Sequence, residues 1–271
     1  MPELPEVEIT TRNLNKIINP PEVVEEWIFY RKDLRNVMPV TQIKKLNGAK
    51  LKKISRRAKF IIFEFENESI VSHLGMTGYW RVETKNWQRK THDHIAMKLN
   101  ENKFLVYNDP RRFGEFDLFK NTNLHERFAH FGPEPLQHDI DLEQLTKTFK
   151  KLNTTVKVAL MNQKYLVGVG NIYASEALFR SKIKPQKKAN KVTAVEYDLL
   201  WTEVKKVLQE AILAGGSSIS DFKNSYGEKG DFQKRFLVYD RKEELCFTCH
   251  HPIQSLVLGG RSTFWCRHCQ K

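Results

Sequence analysis

Phe131-Gly132-Pro133-Glu134-Pro135 divides this sequence into two grammars. Before it, residues 22 to 119 carry short segments rich in Ile, Val and Phe: Lys50 to Ile54, Phe60 to Phe65, Ile70 to Leu74, Ile95 to Leu99, Phe104 to Tyr107 and Phe116 to Phe119. Turn-prone groups such as Glu66-Asn67-Glu68 and Asn100-Glu101-Asn102 separate them at hairpin lengths, which predicts an antiparallel sandwich or barrel. After it, apolar residues recur at helical spacing over Leu142 to Leu152, Val156 to Met161, Ile172 to Lys182 and Ala194 to Ala214. A glycine and two prolines within five residues read as the linker between the two parts. Gly215-Gly216-Ser217-Ser218 ends the last helix, and the polar stretch Asp221 to Lys234 reads as a mobile loop.

With 271 residues and 40% hydrophobic content, the chain has the length and composition of a soluble protein with one large or two medium domains. No apolar run reaches the roughly 18 residues of a membrane span, and the N-terminus lacks a signal peptide's apolar centre, so the expectation is a cytosolic protein. Forty-five Lys and Arg against 32 Asp and Glu give a net charge of +13, which suits a polyanionic partner. Basicity alone fits a ribosomal protein equally well.

All four cysteines lie near the C-terminus, as Cys246-Phe247-Thr248-Cys249 and Cys266-Arg267-His268-Cys269. Two C-x2-C turns sixteen residues apart have the spacing of a tetrahedral four-thiolate zinc site, with two disulfides or a redox motif as the alternatives. Between the pairs, Ile253 to Leu258 and Arg261 to Trp265 read as a β-hairpin with Gly259-Gly260 at its tip. So short a segment has almost no core, so the metal would supply its folding free energy. Four cysteines leave no open position, which makes one structural zinc the expectation.

At the other end stands Met1-Pro2-Glu3-Leu4-Pro5-Glu6-Val7-Glu8. Leu4, Val7, Leu14, Ile17 and Ile18 recur at helical spacing, so Pro2 would sit at the start of a packed helix. Removal of Met1 would expose a secondary amine, and an α-amino group titrates at about 7.7 to 8.0 against about 10.4 for lysine. Pro2 is therefore a candidate nucleophile, with the carboxylate of Glu3 beside it. Proline followed by acidic residues is also ordinary helix-start grammar, and this octapeptide alone does not separate the two readings.

Leu166-Val167-Gly168-Val169-Gly170-Asn171-Ile172-Tyr173 lacks the third glycine and the strand setting of a dinucleotide fingerprint. It reads either as a Gly-capped junction between helices or as a tight turn whose exposed amides hold a phosphate. In the β-rich part, Arg56-Arg57-Ala58-Lys59, His73-Leu74-Gly75-Met76-Thr77-Gly78 and Asp109-Pro110-Arg111-Arg112-Phe113-Gly114 put basic and large apolar residues beside probable turns. Met76 and Phe113 either pack in a core or act as wedges in a base stack. His92 and His94, two apart on a strand, would share one face without a third metal ligand and read as hydrogen-bonded or phosphate-facing.

Taken together, the PELPEVE start, SRRAK, HLGMTG, HDH, DPRRFG, GPEP, VGVGNIYASEALF, GGSS and the four-cysteine terminus closely resemble the bacterial formamidopyrimidine-DNA glycosylases (Fpg, MutM). The likeness runs in order from residue 2 to 271. The related endonuclease VIII typically begins PEGPE, and Leu4 sides with the formamidopyrimidine enzymes. The resemblance implies an α+β multidomain chain: a catalytic β-sandwich with flanking helices over 2–132, a helix-two-turn-helix DNA-binding domain over 133–225, and a zinc-finger hairpin over 237–271. DNA would lie between domains. It also implies excision of oxidised purines such as 8-oxoguanine and formamidopyrimidines from double-stranded DNA, then strand cleavage by β,δ-elimination. Pro2 would be the Schiff-base nucleophile, Glu3 the proton donor, Lys59 the acid of β-elimination and Arg261 that of δ-elimination. His92, Arg111, Asn171, Lys157, Lys151 and Glu6 would serve DNA binding, Lys157 near the lesion, and Met76, Arg111 and Phe113 would fill the vacated stack. Zinc would be held by Cys246, Cys249, Cys266 and Cys269 in a monomer acting on DNA in the bacterial cytoplasm. The chain departs from the family pattern at Val158, where many members have proline, and at Leu152, where a DNA-contacting lysine falls in others. A silent zinc-finger nucleic-acid binder and an enzyme preferring oxidised pyrimidines are the competing expectations.

Overall fold

The computed structural model describes residues 1–100, 102–217 and 230–271. The chain forms two compact units, Met1–Ala129 with Ala214–Asp231, and His130–Leu213 with Phe232–Lys271.

The first unit begins with helix α1 (Leu4–Ile18), whose Leu4, Val7, Leu14 and Ile18 are fully buried. The helix stops at Asn19, which turns left-handed at φ 55° while its N–H still reaches Asn15 O at 2.8 Å. Next come β1 (Glu22–Val23), β2 (Glu26–Phe29), a short α2 (Val40–Ile43), β3 (Lys50–Leu51), β4 (Lys53–Arg57), β5 (Phe60–Glu64), β6 (Glu68–His73), β7 (Tyr79–Glu83), β8 (Asp93–Asn100), β9 (Lys103–Asn108), β10 (Glu115–Lys120) and α3 (Leu124–Arg127). Two four-stranded antiparallel sheets, β10-β6-β5-β4 and β2-β8-β9-β7, enclose one core, and β1 pairs with β3. Rings from both sheets fill it. Trp80 of β7 lies 5.5 Å from Phe63 of β5, 5.2 Å from Tyr107 of β9 and 5.9 Å from Phe116 of β10. Such aromatic side chains bury roughly 150–250 Å² each and dominate core energetics.

The second unit holds α4 (Leu142–Phe149), α5 (Val156–Met161), α6 (Asn171–Arg180) and α7 (Ala194–Leu213); α7 packs against α4 and α6, and α6 against α5. The ring of Phe149 is edge-on to two rings of α7, Tyr197 at 5.9 Å and Trp201 at 5.0 Å. Asp141 starts α4 by accepting the Gln144 N–H at 2.8 Å, an ordinary carboxylate cap. The finger hairpin, β11 (Gln254–Leu258) and β12 (Arg261–Trp265), pairs in register around Gly259-Gly260. Phe264, Ile253 and Val238 cluster with Phe179 of α6 and with Cys246 and Cys266.

The expected sandwich, helices and hairpin are present, and the departures have local causes. Strand β7 escaped the periodicity reading because Arg81 occupies a buried position there, neutralised by Asp93 across the sheet. Strand β2 is four residues long and opens on a charged one, Glu26. Helix α4 ends at Phe149, not Leu152; Lys150 to Leu152 follow as tight turns, with Leu152 N–H reaching Phe149 O at 3.0 Å. The Phe131–Pro135 stretch is docked instead of free: Gly132 N–H donates to Gln163 O at 2.8 Å, and a Cβ at Gly132 would collide with the Tyr165 backbone. Of the loop expected over 221–234, residues 221–229 lie outside the described residues, as does Ser218. Its end is structured, since Phe232–Arg235 forms a 3-10 turn with Phe232 fully buried 5.8 Å from Tyr173.

Candidate functional site

Pro2 is buried at the head of α1, and Glu3 behind it is only 3% exposed. Glu3 is the N-cap and forms a reciprocal capping box with Glu6, whose carboxylate accepts the Glu3 N–H at 2.9 Å. Glu6 is itself buried and also accepts the Ser217 N–H at 2.8 Å and the Ser217 hydroxyl at 3.0 Å. Gly216, at φ 80°, brings the backbone this close; a Cβ there would lie 3.2 Å from Glu6 Oε1. The first turn of α1 is thus fastened by a residue more than 200 positions away, with Glu6 as the fastener.

Two contacts set α1 against β4. Asn15 Nδ2 donates to Ile54 O at 2.9 Å, and Glu8 pairs with Arg56 Nε at 2.7 Å. Burial works to raise Glu8, but the hydrogen bonds and charges of Arg56 and Arg12 outweigh it and hold the carboxyl below its usual range. Moving along β4 from residue 54 to 56 moves along α1 from residue 15 to 8, so the β4–β5 turn is carried toward the Pro2-Glu3 end. That turn is Ala58-Lys59. Ala58 is left-handed at φ 53°, its carbonyl accepts from Arg56 Nη1 at 2.8 Å, and Lys59 is 7% exposed. Beside it, His73 packs tilted against Phe60 with centroids 4.7 Å apart and accepts the Gly75 N–H on Nδ1 at 3.0 Å. Burial, then the positive charges of Lys59, Arg35 and Arg127, push His73 down to about 4, so this imidazole is neutral at physiological pH.

Met76, His92, Arg111 and Phe113 all sit on loops of the first unit. Phe113 is 44% exposed, and the Arg111 guanidinium lies 4.8 Å from its ring centroid. His92 is exposed in a turn at φ 75°, one residue before β8. This corrects the expectation of two histidines sharing one strand face, because His94 is buried and its Nε2 donates to Asp109 O at 2.8 Å. The His92 turn is fixed by Asp93, whose carboxylate receives Arg81 at 2.7 and 2.8 Å, Asn108 Nδ2 at 2.7 Å and the Lys90 N–H at 2.7 Å.

In the second unit, Asn171 is the first residue of α6 and its Nδ2 donates to Ser262 O at 2.9 Å. Lys157 is fully buried and donates to Asn171 Oδ1 at 2.6 Å, Thr263 Oγ1 at 2.8 Å and Ser262 O at 3.3 Å, so one ammonium joins α5, α6 and β12. Arg261 is exposed at the hairpin tip, behind Gly259 at φ 54° and Gly260 at φ 72°, the paired positive values that a two-residue hairpin turn needs. The tip rests on α5: a Cβ on Gly259 would lie 3.0 Å from Val158 Cγ2. Lys151 is exposed just beyond α4. The glycine turn differs from the expectation of open amides, since Gly168 and Gly170 are buried and the Gly168 N–H donates to Gln163 Oε1 at 2.8 Å.

The four cysteine sulfurs lie within 4.8 Å of one another, Cys246 to Cys269 at 3.8 Å and Cys249 to Cys266 at 3.3 Å. A tetrahedron of thiolates about 2.3 Å from zinc has edges of about 3.8 Å, so the set is arranged for one four-coordinate ion. All four thiols are free, which removes the disulfide alternative.

Three functional supports were not visible in the sequence. Asp93 and Asp109 are wholly buried and organise the loops around them, and Glu176 of α6 accepts the backbone N–H groups of Leu237, Val238 and Tyr239 at 2.9 to 3.0 Å. Each had one signal, its place in a motif, Asp93 in HDH, Asp109 in DPRRFG and Glu176 in VGVGNIYASEALF, but nothing in those motifs marked its partners.

The sequence matches the family model of the formamidopyrimidine-DNA glycosylase N-terminal domain over residues 1–116, that of the H2TH domain over 131–223, and the zinc finger found in FPG and IleRS over 243–271. It is 47% identical over 271 residues to the formamidopyrimidine-DNA glycosylase of Bdellovibrio bacteriovorus and 40% identical over 274 residues to that of Vibrio atlanticus, with both chains covered fully in each case. Among solved structures, Lactococcus lactis Fpg (MutM) in complex with DNA containing N7-benzyl-Fapy-dG superposes with a TM-score of 0.92 at 34% identity, covering 100% of both chains. A MutM complex with DNA containing carbocyclic 8-oxo-G gives 0.91 at 34% identity, again over both chains entirely. On domain models, full-length identity and superposition alike, this chain belongs to the formamidopyrimidine-DNA glycosylase family.

Proposed function

We propose that this protein excises oxidised purines, 8-oxoguanine and formamidopyrimidines, from double-stranded DNA and then cleaves the abasic strand by β,δ-elimination. The observation that carries this reading is the buried start of α1, where Pro2 and Glu3 are held by the Glu6–Ser217 fastening and the Lys59 turn is carried toward them. A protein that merely bound DNA would gain nothing from a buried Pro2, a buried acid at Glu3 and a buried Lys59 in the turn carried toward them.

A base inside a duplex is out of reach, so the damaged nucleotide is extruded, and weakened pairing makes that cheaper. Once Met1 is removed, the Pro2 nitrogen attacks C1′ and displaces the base while Glu3 protonates the opening sugar ring. The resulting cationic iminium acidifies the neighbouring C–H, and loss of that proton expels the phosphate on the 3′ side; Lys59 serves this elimination and Arg261 the second. His92, Arg111, Asn171 and Lys151 hold backbone phosphates, Lys157 positions Asn171 against the finger strand, and Met76, Arg111 and Phe113 fill the vacated stack. Glu6 supports DNA binding through the geometry of the α1 start. Zinc bound by the four cysteines would supply folding free energy to the finger and no chemistry. No helix among the described residues is long and apolar enough to cross a membrane, and action on the chromosome as a cytoplasmic monomer completes the reading. The proposed domains are 2–132, 133–225 and 237–271.

A second substrate class has one observation behind it. A Lactococcus lactis Fpg (MutM) complex with DNA containing an oxidised pyrimidine superposes with a TM-score of 0.91 at 33% identity. Single-turnover cleavage of matched duplexes carrying 8-oxoguanine or an oxidised pyrimidine tests the reading: faster release of the purine supports it, and release of the pyrimidine alone overturns it.

A further inference from the structure

The groups that the proposed function sends into the base stack ride on loops, and a wedge on a loop works only if something fixes its aim. The loop that carries Met76 and the loop that carries Arg111 and Phe113 converge on one buried carboxylate, Asp109. Its oxygens accept the Thr77 hydroxyl at 2.6 Å and the Gly114 N–H at 2.8 Å. Its carbonyl accepts His94 Nε2 at 2.8 Å and the Arg112 N–H at 3.2 Å, and its own N–H donates to His92 O at 3.1 Å. Thr77 closes the circuit, because its hydroxyl oxygen also accepts the Arg111 N–H at 3.2 Å. Met76 and Arg111 therefore follow a single side chain, Thr77, which is locked to Asp109.

Packing leaves these loops one arrangement. A Cβ on Gly75 would collide with the backbone of Phe113 and Gly114, and one on Gly78 or Gly114 would collide with the Tyr107 hydroxyl. That hydroxyl lies 3.5 Å from His73 O, Leu74 O and Asp109 Oδ2. Burial, together with the Asp109 charge, pushes the phenol up, so it remains a donor. Asp109 is 0% exposed and its bonds run to the loops that bear Met76, His92, Arg111 and Phe113.

We infer that Thr77 and Asp109 form a latch that sets the wedge: they are positioning residues for base extrusion, acting through Met76, Arg111 and Phe113 and touching neither the base nor the reacting sugar. The inference rests on the proposed function. Thr77→Val keeps the shape of the side chain and removes both hydrogen bonds of the hydroxyl, whereas Thr77→Ser keeps them.

The test is stopped-flow fluorescence of a base analogue beside 8-oxoguanine in a duplex, with melting temperature and the salt dependence of binding measured on the same proteins. Thr77→Val extrudes the lesion about ten-fold more slowly, a barrier change of about 1.4 kcal/mol, with the salt slope unchanged. Thr77→Ser returns to within about two-fold of the parent rate, and Asp109→Ala is at least as slow as Thr77→Val. Because a purely structural role lowers melting temperature without separating extrusion from binding, slow extrusion at unchanged salt slope identifies positioning. Parent-like extrusion in Thr77→Val, alongside slow extrusion in Met76→Ala, overturns the latch alone. Parent-like extrusion in Met76→Ala overturns the wedge assignment on which the latch rests.

Discussion

Replacing Glu6 by glutamine probes how the α1 start is held. Among the described residues the carboxylate accepts hydrogen bonds from Glu3 N–H, Ser217 N–H and the Ser217 hydroxyl. Glutamine keeps volume and one oxygen. If that oxygen stays on Ser217, the new amide NH2 faces the Glu3 N–H; the opposite flip sets it against the Ser217 N–H. Either way one buried donor loses its acceptor. A hydrogen bond to a charged group contributes about 1.5–3 kcal/mol, and a stranded buried donor costs about 1–3 kcal/mol, so the expected loss is about 2–4 kcal/mol. For a unit of this size that lowers the melting temperature by roughly 5–10 °C. Because Glu3 is the N-cap of the same turn, the proposed proton donor loses its seat, and excision falls at least about ten-fold at temperatures where the fold is intact. Differential scanning fluorimetry and single-turnover excision of 8-oxoguanine read the two effects. Parent-like melting and excision in Glu6→Gln would refute the fastening.

Four further outcomes follow from other sites. Cys249→Ala loses one equivalent of zinc and most DNA affinity, read by metal analysis and gel shift, while the β-sheet unit stays folded. Lys151→Ala flattens the log–log salt dependence of DNA binding by roughly one unit, because it removes one charged phosphate contact, whereas Asn171→Ala, which removes a neutral one, weakens binding with the slope nearly unchanged. Lys157→Met strands two acceptors, Asn171 Oδ1 and Thr263 Oγ1, and lowers stability of the helical unit by about 2–4 kcal/mol in urea titration. His73 binds a proton near 6.5 when unfolded and only at about 4 when folded. Its contribution is complete above pH 6.5 and is lost as pH falls toward 4, so between pH 7.5 and 4.5 the parent protein loses about 2–3 kcal/mol more stability than His73→Gln.

What the sequence displayed was local. The finger could be read because its ligands come as two C-x2-C pairs, and strands such as Phe60–Glu64 and Lys103–Asn108 because their Ile, Val and Phe sit within single segments. The supports could not be read, because their partners are remote. Arg81 finds its partner only because β8 brings Asp93 to it, and that pairing hid β7. The resemblance put Lys157 near the lesion, but nothing in the sequence showed that its ammonium is satisfied by residues more than a hundred positions away on β12. Asp109 drew notice only as part of a motif; its work, joining Thr77 to Gly114, exists only once two loops meet. The family resemblance named the residues that would touch DNA, and the structure supplies the ones that aim them.

The central claim is that Pro2 becomes covalently joined to DNA. An imine made from a secondary amine is a cationic iminium, which hydride reduces to a stable amine, so borohydride added during turnover on an 8-oxoguanine duplex freezes the protein–DNA adduct. Peptide mapping of that adduct after verified removal of Met1 is the most direct measurement. The DNA is expected on the N-terminal peptide at Pro2, with no adduct when Met1 or a tag is retained. An adduct on Lys59 or another lysine, or full activity with Met1 in place, would contradict it.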